Sequence, residues 1–172
     1  MGIYYTNQKI EAYKKFEEKG FLTGDEAFVD SDFLSAYKWL IEQMNNKINN
    51  DGSFPVWLWT EKPNLNEEGH FDPGTKAVCL TVEIPDEQIL FSDFDAWHCV
   101  LNNWYCALTE LEDDSFDRGK VDITKEESWQ RIFNFEQLQQ SEMWGNAEQT
   151  LQGVTPVIKK EQVLNVEYFT AQ

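Results

Sequence analysis

The chain has 172 residues, of which 41% are hydrophobic and 15% aromatic, enough for one apolar core and cramped for two, so one domain over residues 1–172 is expected. Lys and Arg number 14 against 31 Asp and Glu, a formal charge of −17, which repels phosphate backbones and anionic lipid and argues against direct nucleic-acid or membrane-surface binding. No apolar run approaches the roughly 18 residues of a membrane span, and Met1-Gly2-Ile3-Tyr4-Tyr5 lacks the pattern of a secretory leader, so a cytoplasmic protein is expected.

In chain order, Ile3-Tyr4-Tyr5-Thr6 is β-prone, and Ile10, Tyr13 and Phe16 follow at helical spacing up to Gly20, a residue suited to a left-handed helix stop. Leu34, Tyr37, Ile41, Met44 and Ile48 mark a second helix, with Asp30 or Ser31 as its cap and Asn49-Asn50-Asp51-Gly52 as its end. Val56-Trp57-Leu58-Trp59-Thr60 predicts a short aromatic strand, followed by a loop of breakers from Pro63 through Gly69 to Gly74. Val78, Leu80, Val82 and Ile84 alternate with Cys79, Thr81 and Glu83, the two-residue period of a strand buried on one face.

Pro85-Asp86 predicts a turn, Ile89-Leu90-Phe91 a strand, and Asp93 or Asp95 the cap of a helix placing Trp97, Val100, Leu101, Trp104 and Leu108 on one face. The acidic run from Glu110 through Asp114 to Asp117 predicts a solvated loop. Thr124 and Glu127 have capping-box spacing ahead of Trp129, Ile132 and Phe133. Two late strands are expected, from Val154 to Ile158 and from Leu164 to Phe169. Without regular βαβ alternation, these elements predict an α+β fold with a mixed or antiparallel sheet and packed helices.

The densest polar cluster is Ser92-Asp93-Phe94-Asp95-Ala96-Trp97-His98. Carboxylates at a helix start most simply cap it, whereas a functional reading makes His98, Asn102 and Tyr105 a polar stripe lining a cleft. A metal site from Asp93, Asp95 and His98 lacks a further donor, because the only other histidine is His70 in the breaker-rich loop. Cys79, Cys99 and Cys106 are an odd set without a CxxC pair, which predicts buried thiols, the last two on one helix. Trp57 and Trp59 share a strand face and could, with Trp97 and Trp104, form a core or a wall for a planar ligand. Glycine-rich phosphate loops are missing and Arg118 and Arg131 are the only arginines, so a nucleotide would have to rely on backbone amides or lysine.

Tyr5-Thr6, Pro55-Val56-Trp57-Leu58-Trp59, Ser92 through His98, Leu101-Asn102-Asn103-Trp104-Tyr105 and Ser128-Trp129-Gln130-Arg131-Ile132-Phe133 together resemble the domain-of-unknown-function family 3841, small bacterial and phage proteins without an assigned activity. More distantly, the strand ending in Tyr5-Thr6, the helix closing on Gly20 and the late Gln152-Gly153-Val154 strand resemble the layout of ADP-ribosyltransferases. That resemblance implies NAD or a related nucleotide as ligand. It also implies an Arg or His on the first strand and a Glu on the late one, where this chain has Tyr4 or Tyr5 and Val154 or Val157.

Two functions follow as expectations. One is a nucleotide cleft, degenerate or active as an ADP-ribosyltransferase or other NAD-using enzyme, lined by Tyr5, Thr6, Trp57, Trp59, Asp93, Asp95, His98, Asn102 and Tyr105. The other is an acidic inhibitor that imitates nucleic acid toward a basic protein partner, as in a host-defence conflict.

Overall fold

The computed structural model describes residues 1–172 and bears out the α+β class. Within it the chain forms two compact units. The first comprises residues 1–28, 41–90 and 153–172, the second residues 29–40 and 91–152.

In the first unit, β1 (Gly2–Lys9) runs directly into α1 (Ile10–Lys19). Gly20 stops the helix at φ 86°, its amide returning to the Phe16 carbonyl, a conformation that a Cβ would strain. β2 (Phe21–Leu22) pairs with β7 (Ile158–Lys159) in a separate ribbon. α2 (Leu34–Lys47) begins in the second unit and ends in the first.

β3 (Val56–Trp59) and β4 (Lys76–Ile84) flank β1, and β8 (Val163–Thr170) lies beyond β4, each of these three ladders antiparallel. With β5 (Leu90–Asp93) and β6 (Leu151–Thr155) the full order is β5-β6-β3-β1-β4-β8. The predicted alternation sorts the two faces. Val78, Leu80, Val82 and Ile84 are fully buried, and Tyr4, Thr6, Val56 and Leu58 join them on the same side. α1 packs on β1 and β4.

Tyr4 anchors this face, its hydroxyl donating to Asp86 Oδ1 at 2.6 Å. Burial, then the bond to the carboxylate and its charge, push the phenol up to about 12 from an ordinary 10.0. The protonated form is the one the fold favours, so this contribution is complete below pH ~10 and declines as pH rises toward ~12. Tyr4→Phe should therefore cost about 1 kcal/mol at neutral pH. The difference from the parent should shrink in alkaline urea titrations, and a constant difference would contradict the coupling.

In the second unit, α3 (Phe94–Leu101) is capped by Asp93. The expectation that this helix continues through Trp104 and Leu108 is corrected: it ends at Leu101, and Asn103 takes a left-handed φ of 58°. Trp104, expected inside, is 61% exposed. Cys99 and Cys106 consequently do not share a helix, yet all three cysteines are buried free thiols.

The acidic run is also corrected, since Glu110–Asp117 is a helix, α4, rather than a loop. Thr109 accepts from the Glu112 amide, and Glu110, Glu112 and Asp113 place negative charge where the free amides leave the helix start positive. α5 (Lys125–Ser128) has the expected capping box with both bonds formed, a 3-10 turn follows over Trp129–Phe133, and α6 (Phe135–Gln140) starts on Asn134. None of these helices is long and apolar enough to cross a membrane.

Candidate functional site

Strands β3, β1, β4 and β8 also present a second face, sealed at Ala77 and Cys79 and open around Tyr5. Antiparallel pairing sets residues opposite one another on the same side, and Tyr5 lies opposite both Trp59 and Thr81, which in turn faces Asn165. Trp59, Tyr5, Thr81 and Asn165 thus form one row across four strands, and Trp57 stands on the same face two positions from Trp59. Trp57, Trp59, Tyr5 and Thr81 are half-buried and Asn165 is exposed, in contrast to the sealed opposite face.

The loop after β3 adjoins this row. Lys62 Nζ meets Glu167 Oε2 at 2.6 Å. The bond to Glu167 and its charge raise the lysine's proton affinity. His70 Nε2 reaches the Asn64 carbonyl at 2.7 Å, so that nitrogen carries the proton and Nδ1 takes the amide of Asn7 at 3.3 Å. Asn7 Oδ1 is left buried without a partner.

Thr6 lies elsewhere. It is 1% exposed on the sealed face, where Gln8 Nε2 donates to its hydroxyl at 2.9 Å. Adjacent strand residues point to opposite sides, so Tyr5 and Thr6 cannot line the same surface.

In the second unit the polar cluster is used largely by the backbone. Asp93, 5% exposed, accepts from the Ala96 amide at 2.8 Å. Burial raises its carboxyl, the amide bond opposes that shift, and Asp95 adds to it, with a net increase. Asp95 is exposed in the first turn. His98 Nδ1 bonds the Phe94 carbonyl at 2.9 Å, with the Phe94 ring edge-on to the imidazole. Asn102 caps the helix end and donates to the His98 carbonyl at 2.8 Å.

Tyr105 is not on this helix. It is buried, stacked on Phe116 at 4.5 Å, with the Arg131 guanidinium 5.7 Å from its ring centre. The expected stripe of His98, Asn102 and Tyr105 therefore breaks after Asn102, because helical spacing ends at Leu101. No three of the His, Cys, Asp and Glu side chains gather as metal ligands.

Sequence reasoning grouped Tyr5, Trp57 and Trp59 but missed Thr81, Asn165 and Lys62. The alternation of β4 already put Thr81 on the less apolar side. Its place opposite Tyr5 depends on register, which a single strand's pattern leaves open.

Comparison with curated proteins yields no match, and comparison with solved structures yields none either. The ADP-ribosyltransferase layout thus gains no support beyond the two chain ends that suggested it. One family model does match, described as domain of unknown function (DUF3841), over residues 3–125. That span holds β1, α1, α2, the aromatic strand β3, β4 and the Asp93-capped helix, and by it this chain belongs to the DUF3841 family.

Proposed function

We propose that this protein is a binding module for a planar, phosphate-bearing small molecule of the nucleotide class, received on the open face of the first unit's sheet. The observation that carries this reading is the row Trp59-Tyr5-Thr81-Asn165, with Trp57 beside it. Half-exposed aromatic rings offer a stacking surface for a base, and such stacking is worth about 1–3 kcal/mol per ring. Thr81 and Asn165 supply hydrogen-bonding groups along the same row, and Lys62 supplies the cation a phosphate requires, in competition with Glu167.

Binding is favoured over NAD cleavage on the same residues. Tyr4 or Tyr5 rather than Arg or His stands on the first strand, and the late-strand position offers Val154 or Val157 in place of a carboxylate. A degenerate ADP-ribosyltransferase-like site would retain ligand recognition without the group that assists nicotinamide departure.

Calorimetry with NAD and ADP-ribose tests the reading. Binding of either is expected, with Trp59→Ala and Tyr5→Ala each weakening it roughly tenfold and Thr6→Ser leaving it unchanged. Absence of heat with both ligands at millimolar concentration removes the proposal, as does binding indifferent to Trp59 and Tyr5.

A further inference from the structure

The outer edge of β8 raises a separate question, because β8 is the last strand in the sheet order and no strand pairs with its far side. The register identifies which backbone groups this leaves outward. Ala171 donates to the Thr75 carbonyl at 2.9 Å and accepts from the Gly74 amide at 2.8 Å, so it faces the β4 side. In an antiparallel ladder the direction alternates, hence Phe169 and Glu167, opposite Ala77 and Cys79, also face β4. Val166, Tyr168 and Thr170 then aim both N–H and C=O away from the sheet.

Edge strands that avoid partners carry proline, lysine, bulges or a cover. β8 reads VLNVEYFT, without proline or lysine, and its one register shift, at Leu164, lies near its start and leaves Asn165 through Thr170 regularly paired with β4. Leu164 and Tyr168 are 56% and 64% exposed, an apolar contribution to an otherwise open edge. Beside its second half lies a groove of about 510 Å³, walled by residues 62–66 on one side and by Glu167, Tyr168, Phe169 and Thr170 on the other.

We propose that this edge docks an extended, basic peptide segment of another protein, which adds to the sheet as a strand beside β8. Backbone bonds to Val166, Tyr168 and Thr170 would hold it, with alternate side chains reaching the groove and the Leu164/Tyr168 surface. Charge selects the occupant. The flanking loop carries Glu61, Glu67, Glu68 and Asp72, and Lys62, the one cation lining the groove, is already engaged by Glu167. A second copy of this chain is the poorer occupant, since each copy carries a formal charge of −17.

The test is fluorescence anisotropy of a labelled octapeptide alternating Lys and Val, compared with one alternating Glu and Val, together with sedimentation of the protein alone. The Lys peptide is expected to bind and to weaken at least tenfold between about 0.05 and about 0.5 M salt. Val166→Pro removes one outward N–H while sparing the bonds to β4, and should abolish binding with circular dichroism unchanged. If that variant does not fold, Tyr168→Lys keeps the backbone and should weaken binding severalfold by repulsion.

The proposal is overturned if the Lys peptide fails to bind, if the Glu peptide binds as well, or if binding survives the edge variant that folds. A concentration-dependent dimer dispersed by that variant would instead identify a second copy as the occupant.

Discussion

Arg131→Ala is expected to cost about 2–4 kcal/mol in equilibrium urea unfolding, because it strands several groups at once in the second unit. The Arg131 guanidinium is bonded to both oxygens of Glu112, with Nη2 at 3.1 Å from Oε2, and Nη1 also donates to the Cys106 carbonyl at 2.7 Å. The two side chains are only 14% and 27% exposed, so little water is at hand to replace these bonds. Burial works to raise the Glu112 carboxyl, but the bonds from Arg131 and from the Leu108 amide, with the guanidinium charge, hold it below its ordinary 4.5.

A depressed carboxyl stabilises the fold above its unfolded value, and that contribution disappears as pH falls through the lower folded value. The difference between parent and Arg131→Ala should therefore be full at pH 7 and shrink below pH ~4. Glu112→Gln should remove most of the pH dependence at a smaller cost at pH 7. The pair Arg131→Met with Glu112→Leu should recover part of the loss, since apolar replacement removes both charges together. An Arg131→Ala cost below about 0.5 kcal/mol, the range of an exposed pair, would show that water does replace these bonds.

This ion pair also explains why the acidic run could not be read correctly from its own composition. Within residues 110–117 there is no cation to offset five carboxylates, and charge repulsion alone favours a solvated loop. What makes the segment helical is the Thr109 cap at one end and an arginine 19 positions downstream. The capping box at Thr124 and Glu127, by contrast, is complete within four residues and was legible directly.

The same distinction applies to the open face. Alternation within β3 was sufficient to put Trp57 and Trp59 together, because side-chain direction in a strand repeats every two residues. Thr81, Asn165 and Lys62 join them only through pairing of β1 with β4, β4 with β8, and a loop returning over Glu167. Thr6 shows the opposite error. Adjacency to Tyr5 in sequence suggested a shared cleft, whereas one step along a strand reverses the face. The second unit's stripe failed at the helix end, where Asn103 turns left-handed and redirects Trp104 and Tyr105.

That redirection has an energetic consequence. Turning out the Trp104 side chain leaves its carbonyl to receive the indole N–H of Trp129 at 2.6 Å. Trp129 is 6% exposed, packs edge-on against Trp39 with ring centres 5.4 Å apart, and follows Ser128, whose hydroxyl accepts from the Cys106 amide at 2.9 Å. Trp129→Ala thus opens a cavity and removes a polar anchor, for an expected loss of about 3–5 kcal/mol. Trp129→Phe keeps much of the packing but leaves the Trp104 carbonyl without the indole, for about 1–3 kcal/mol. Urea midpoints give the order parent, Phe, Ala, and near-ultraviolet circular dichroism should lose the signal of the Trp39–Trp129 pair in both variants. Trp104→Ala serves as the contrast: its exposed ring should matter little while its carbonyl remains, so a cost equal to that of Trp129→Ala would place the anchor in the Trp104 side chain instead.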